Sequence, residues 1–385
     1  MSQPQTTVIL GGGVGGISVA RALRRRLARQ HRILLIDRER DHVFAPSLLW
    51  LMVGRRTPAA ITRPVARLAG RRIEVETGDI QRIDPERREV TAGGRVIAAD
   101  HLVIALGAEL NPGAIPGLKD AGHNFYSLGG ARSLWEALQG FRGGRIVVLT
   151  AAPAYKCPAA PYEGAMLVDG WLRRSGRRAA VQIDLYAAEP APMGVAGAHV
   201  SNAVRQLLAA KGIGYHPEHQ ITVVDVAGKH LTFANGTTAD YDLLAYVPPH
   251  RAPAVVRESG MAAASGWIAV DRHTLETQWP QVYAIGDVVG IPLTLGKPLP
   301  KAGVFAHRQG EVVARNIAAA IAGAGASARF DGEGECFIET GDGRAGFGGG
   351  NFYAEPTPSI RLRPPSRRWH WGKVWFEKAW LYTKI

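Results

Sequence analysis

Two cysteines in 385 residues leave no material for a structural disulfide framework or a four-cysteine metal site; if the two matter, they matter chemically, the alternative being a purely structural cysteine at either position. No apolar stretch approaches the roughly 18 residues that a spanning helix needs, which restricts any membrane contact to the periphery. Met1-Ser-Gln-Pro-Gln5 leads straight into the first strand-like run, with neither a basic leader nor an apolar signal segment, and this predicts a cytoplasmic protein. Acidic residues are outnumbered, 33 Asp and Glu against 46 Lys and Arg. A net charge of +13 suits an acidic surface, an anionic lipid headgroup or a small anionic substrate, or else reflects an arginine-rich proteome. No metal cluster and no nucleic-acid motif stands out.

What is present is an α/β chain. Its 46 glycines, 24 prolines and short Val/Ile/Leu runs exclude a helical bundle or a disordered polymer, and its length predicts at least two cores. Residues 6–10 read as a strand, residues 11–16 (GGGVGG) as a glycine turn, and residues 17–27 as a helix with apolar spacing at Ile17, Ala20, Leu23 and Leu27. The apolar run 33–36 ends in Asp37 and completes a βαβ unit. Residues 102–106 lead to Gly107; 146–149 and 181–186 form a second βα unit; 221–226 and 229–233 read as a hairpin. Residues 241–247 repeat the character of 102–106, and 282–285 followed by Gly286-Asp287 return the chain to the first half. The expected architecture is therefore two Rossmann-like dinucleotide-binding domains, the second inserted in the first, plus a C-terminal membrane-associating segment. Residues 1–108 and 266–325 make the first domain, 109–265 the second, and 326–385 the C-terminal region.

Gly11, Gly13 and Gly16 supply the GxGxxG spacing: a tight turn, a side-chain-free approach for a pyrophosphate, and close packing of helix on strand. Asp37 follows the third glycine by 37 − 16 = 21 residues, where a carboxylate takes a ribose hydroxyl. The late Gly286-Asp287 resembles the second fingerprint of two-domain flavoproteins, which makes FAD the expected dinucleotide. A reductase fed by NADH needs a second glycine loop after residues 146–149. Residues 150–163 (TAAPAYKCPAAPYE) put prolines and a cysteine there instead, which argues against NADH.

KCPAAPYE at residues 156–163, Cys336, PKAG at residues 300–303 and the tail together resemble the sulfide:quinone oxidoreductase family, and are similar to the flavoprotein subunit of flavocytochrome c sulfide dehydrogenase. The likeness spans most of the chain, including Phe44-Ala-Pro46-Ser47 and both cysteines. It implies that Cys157 and Cys336 meet beside the flavin as a redox-active disulfide that hydrosulfide attacks, with the persulfide on Cys157 and the delivery of electrons to the flavin assigned to Cys336. Glu163 is the expected proton carrier and Lys156 the cation favouring a thiolate, unless either is a solvated helix-end charge. His199 serves sulfide binding or caps a helix. Arg38, Pro46, Ile80, Gly107, Asp287, Lys301 and Gly303 join Gly11, Gly13, Gly16 and Asp37 around the flavin, and Lys301 reaches a flavin or quinone oxygen. With no third cysteine to attach it, FAD is expected to be non-covalent.

Residues 361–385 hold seven basic residues and one acid, 7 − 1 = +6. Ser366 is positioned to cap a helix with His370, Lys373, Glu377 and Lys384 as a narrow polar stripe. Trp369, Trp371, Val374, Trp375, Phe376, Trp380, Leu381 and Tyr382 form the broad aromatic face, and Lys378 extends towards headgroups. Residues 366–385 are thus expected to lie on a membrane, with a subunit interface as the alternative. A lipid-soluble quinone follows as electron acceptor, its approach lined by Phe347, Phe352 and Tyr353. The expected partners are sulfide, quinone, the cytoplasmic face of the cell membrane and further copies of the chain. Competing readings are a sulfide dehydrogenase serving a cytochrome c, a type II NADH:quinone oxidoreductase, and a flavin redox sensor without turnover.

Overall fold

The computed structural model describes residues 3–385. Five strands form the first sheet in the order Val282–Ala284, His101–Ile104, Thr6–Leu10, Arg32–Asp37, Glu74–Thr77, all parallel. The second sheet repeats the plan with His123–Asn124, Leu243–Val247, Gly144–Thr150, Val181–Ala187 and Ile213–His216, again all parallel. Parallel strands covered on both faces must be apolar throughout, which is why Val8 to Leu10, His101 to Ile104 and Leu243 to Val247 are buried without alternation.

In each sheet the chain leaves a central strand whose two neighbours belong to opposite sides of the topology. The crevice beyond such a switch point is where an open α/β sheet binds ligand. Beyond Leu10 lies the glycine loop; beyond Thr150 lies the segment with Cys157. The chain crosses between the halves as Glu109–Leu110 and His250–Arg251, which pair antiparallel. Ala252, Val256 and Met261 already pack into the first core, so the chain returns to it earlier than the boundary at 266 set from the sequence.

The glycine-rich stretch after residue 332 is a three-stranded antiparallel sheet, Glu333–Glu339, Ala345–Asn351 and Ser359–Ser366, with Cys336 opposite Gly348 and Phe337 opposite Phe347. Pro364 and Pro365 sit on its outer strand, where a missing N–H breaks no ladder. The tail helix Arg367–Ala379 follows, with the Ser366 hydroxyl accepting from the Trp369 N–H at 3.4 Å as the cap, and a π-helical turn Trp380–Lys384 ends it. No described helix is long and apolar enough to cross a membrane.

Helix Ala160–Arg174 is buried over most of its length and joins the second sheet to the C-terminal one. At Gly170 a Cβ would collide with the backbone of Gly341, so the helix and the turn after the first C-terminal strand touch main chain to main chain. Gly170→Ala should therefore cost about 1–3 kcal/mol through overpacking, read as a lowered denaturation midpoint of the full chain.

Candidate functional site

The first crevice is shaped for an anionic dinucleotide. Helix Val14–Arg26 starts behind Gly13 with no acidic residue in its first turn and no side-chain cap, so its N–H groups and dipole are left for a ligand. Gly11 has φ +105° and its Cβ would strike Ala105 O; a Cβ on Gly16 would strike Gly11 O; at Gly13 nothing lies within 4 Å. Two of the glycines therefore close the turn and the third keeps a space open. The Asp37 carboxylate accepts from the Gly12 N–H and, at 2.7 Å, from the Glu39 N–H. Asp287 supplies a second sign of a missing partner: its Oδ1 is buried without a hydrogen bond, and burial raises its carboxyl above the ordinary range. Helix Gly303–Ile321 also begins without a side-chain cap or an acid in its first turn. Gly107 has φ +69° with open space at its Cβ position. These features fit a flavin dinucleotide.

The remaining expected contacts differ in their surroundings. Arg38 is a surface residue, 3.6 Å from Glu39. Ile80 packs against the first core, and Pro46 lies in the 3-10 turn Ala45–Ser47. Lys301 is anchored beside Asp287: its ammonium donates to Asp287 O and Val289 O at 2.7 and 2.8 Å, over the Trp267 ring, and burial lowers it to about 8. Its carbonyl accepts the Cys157 N–H at 2.6 Å.

Cys157 has φ +54°, which a residue with a side chain rarely adopts. Three hydrogen bonds hold it there: the one to Lys301, Ala160 N–H to its carbonyl at 2.9 Å, and Tyr126 O–H to the same carbonyl at 3.1 Å. Such an over-determined strained residue is a mark of a functional position. Cys336 approaches from the C-terminal sheet. Both are free thiols here, so the disulfide expected from the sequence is open. Each keeps some surface accessible, yet burial pushes the Cys157 thiol well up, reinforced by Cys336 and Glu163, and pushes Cys336 up to about 12, reinforced by Glu163.

The cation that opposes this on both sulfurs is Lys373, not Lys156. Lys156 acts on Asp287 and His250 instead. Lys373 ion-pairs with Glu163, which also accepts the Glu339 N–H at 2.9 Å. Glu163 is buried, so it is no solvated helix-end charge; burial raises its carboxyl even against the pull of Lys373. Burial would lower Lys373, but Glu163 and Glu339 outweigh it and raise it. His370 meets Glu339 at 2.8 Å, and Glu377 takes Arg56 at 2.9 Å and the Ser47 hydroxyl at 2.7 Å.

His370, Lys373 and Glu377 therefore face the protein, and the helix is amphipathic in the inverted sense. Trp371, Trp375, Phe376 and Tyr382 are 66%, 73%, 41% and 62% exposed. Trp369, Trp380 and Leu381 do not share that outward face: Trp369 stacks on Phe347 at 4.6 Å, and the other two are buried. Phe347 thus lies against the tail. Phe352 and Tyr353 pack instead on Phe305 and Phe330 of the first hydrophobic core. His199 is exposed in the first turn of Ala198–Ala209, where Gly197 and not the histidine occupies the cap.

The second switch point is occupied by the chain's own side chains. Glu189 follows strand Val181–Ala187 much as Asp37 ends its own strand, but its carboxylate accepts from Thr150, Tyr155 and Tyr162 hydroxyls at 2.9, 2.5 and 2.6 Å. Burial keeps both tyrosines protonated and donating. A ribose would have to displace all three. Sequence reasoning missed Glu189, Lys373's inward reach, Glu339 and His370; only the TAAPAY run with its tyrosine hinted at the first.

Residues 5–310 match the family described as pyridine nucleotide-disulphide oxidoreductase. The sulfide-quinone reductase of Aquifex aeolicus is 28% identical over 393 residues, covering 97% of this chain and 90% of that protein. The mitochondrial sulfide:quinone oxidoreductase of Mus musculus is 25% identical over 365 residues, 91% and 78%. The crystal structure of the Aquifex aeolicus sulfide:quinone oxidoreductase superposes with TM-score 0.89 at 25% identity, covering 99% of this chain and 91% of that one.

Replacing Lys373 by Met leaves Glu163 buried and unpaired, which should cost about 3–5 kcal/mol. Because Lys373 holds the thiol values down, the variant's cysteine alkylation profile should move to higher pH; an unmoved profile would detach Lys373 from the sulfurs.

Proposed function

The chain belongs to the pyridine nucleotide-disulphide oxidoreductase family, and from that premise we propose that it is an FAD-dependent sulfide:quinone oxidoreductase. The observation that carries the reading is the convergence of Cys157, Cys336, Glu163 and Lys373 at the second switch point, where the family's nicotinamide nucleotide would otherwise need an open acid and a glycine loop. FAD is the cofactor and is held without a covalent bond; when bound it supplies a two-electron acceptor between sulfide and quinone.

The residues act on sulfur as follows. With the pair oxidised, hydrosulfide attacks the Cys157 sulfur, the bond between the cysteines breaks, a new sulfur–sulfur bond forms on Cys157, and Cys336 leaves as a thiolate. Two electrons of sulfide now reside on Cys336, ready for transfer to the cofactor. Lys373 stabilises that thiolate in surroundings that otherwise push thiols up. Glu163, raised by burial, is the group that holds and moves a proton beside it. The strained backbone at Cys157 keeps its sulfur in place while its partner changes.

The outward aromatic face with Lys378, Arg367 and Arg368 nearby supports docking on the cytoplasmic face of a membrane, because indole rings favour the headgroup level and basic residues meet anionic lipid. Quinone then reaches the cofactor from the tail side, past Phe347. A second copy of the chain is the other occupant this face would suit.

Anaerobic sulfide should bleach the flavin and NADH should not; bleaching by NADH alone would refute the reading. Cys157→Ser and Cys336→Ser should each keep FAD and lose sulfide-dependent reduction.

Changing Trp371, Trp375 and Phe376 together to Ser should reduce sedimentation with anionic vesicles by about tenfold or more, three interfacial aromatics being removed. Unchanged sedimentation with a smaller oligomer would assign the face to self-association.

A further inference from the structure

The end of the tail reaches the flavin site by a second route. Trp380 is buried, and its indole N–H donates to His42 Nε2 at 3.0 Å. An indole nitrogen only donates, so Nε2 must carry a lone pair, and the remaining ring proton sits on Nδ1. Nδ1 lies 3.0 Å from the Gly12 carbonyl, which only accepts, so this contact is a donated hydrogen bond. Burial favours the neutral imidazole that this arrangement requires. Gly12 is therefore gripped twice, its carbonyl by His42 and its N–H by Asp37.

The grip has a directional consequence. In a trans peptide the carbonyl of one residue and the N–H of the next point in opposite directions. Fixing Gly12 C=O towards His42 turns the Gly13 N–H the other way, away from the tail, at a residue whose Cβ position has nothing within 4 Å. Around this path the tail is seated by rings: Phe44 stacks on Trp380 at 6.4 Å and meets Phe376 edge-on at 5.6 Å, while His307 meets Trp380 edge-on at 5.8 Å. Arg63 lies over the Tyr382 ring at 4.7 Å.

We propose that Trp380 and His42 are positioning residues for the dinucleotide, presetting the glycine loop for the pyrophosphate of FAD so that seating of the C-terminal segment and FAD binding reinforce each other. This rests only on the FAD part of the proposed function and involves neither sulfide nor quinone. Linkage makes it reciprocal: whatever factor the seated tail adds to FAD affinity, bound FAD adds to tail seating.

The test uses the full chain. FAD affinity is titrated into the apoprotein, and the release rate from the loaded protein is followed by flavin fluorescence. Trp380→Phe keeps a ring against Phe44 and removes the donor; about five- to tenfold weaker FAD binding is expected for one buried hydrogen bond. His42→Phe removes both bonds and should lose at least as much. The combined variant should be no weaker than His42→Phe alone, because both substitutions break one path. In limited trypsin digestion, FAD should slow cleavage of the tail at Lys378 several-fold in the parent chain and by less in Trp380→Phe. Should Trp380→Phe fail to fold, the release rate of His42→Phe decides. Unchanged FAD affinity and release in the folded variants, or additive losses in the pair, would reduce Trp380 to a packing residue and overturn the proposal. Loss of thermal stability with FAD binding intact would do the same. Sulfide turnover is not read in either arm, so failure of the proposed reaction would leave this result distinguishable.

Discussion

The contact between Lys373 and Glu163 ties the tail helix to the second domain. Removing two charges from water costs several kcal/mol per ion, and their attraction offsets this only when the remaining donors and acceptors are also satisfied. Here Glu163 takes the Glu339 N–H, and Lys373 lies 5.3 Å from the centre of the Trp50 ring. Those partners come from the segment after the first domain's second strand, from helix Ala160–Arg174 just after Cys157, and from the C-terminal sheet. The pair is favourable only if all three are assembled around it. Its position beside two sulfurs that burial drives towards the protonated thiol then gives it a chemical role as well as a structural one.

Burying the polar stripe of the tail decides what remains outside. With His370, Lys373 and Glu377 facing Glu339, Glu163 and Arg56, the opposite face of the helix presents mainly aromatic side chains, with Arg368 and Lys378 among them. On an ordinary surface helix the arrangement would be reversed. The inverted helix is stable because its polar groups find buried partners, and its outward rings are then available for an apolar neighbour. The tail thus connects the outer surface to the sulfur site through Lys373 and to the glycine loop through Trp380 and His42.

The two sheets show how one plan supports different chemistry. Both place a loop beyond a central strand at a switch point, and both have a carboxylate near the end of the next strand. In the first, open glycines, uncapped helix starts and an unpartnered Asp287 oxygen leave capacity for a ligand. In the second, three hydroxyls occupy both oxygens of Glu189, and the glycines are replaced by a strained cysteine held at its backbone. A dinucleotide would have to compete with internal hydrogen bonds there, while sulfur chemistry needs only a reachable thiol.

The sequence by itself determined the two Rossmann-like sheets, the glycine loop, the Ser366 cap and the special standing of the two cysteines. Each of these is written locally, in apolar runs, in glycine spacing, or in the scarcity of a residue type. It could not give the direction of Lys156 and Lys301, because adjacency along the chain says little about where a side chain points: the first acts on Asp287, and the second is held by two carbonyls. It found the tail's polar stripe but could not tell inside from outside. Periodicity defines the faces of a helix; which face is buried depends on whether Glu163, Glu339 and Arg56, up to 377 − 56 = 321 residues away in sequence, are waiting to receive it. Only the tertiary structure brings those charges together, since electrostatic pairing in a low-dielectric interior depends on distances of a few ångströms that no local pattern encodes.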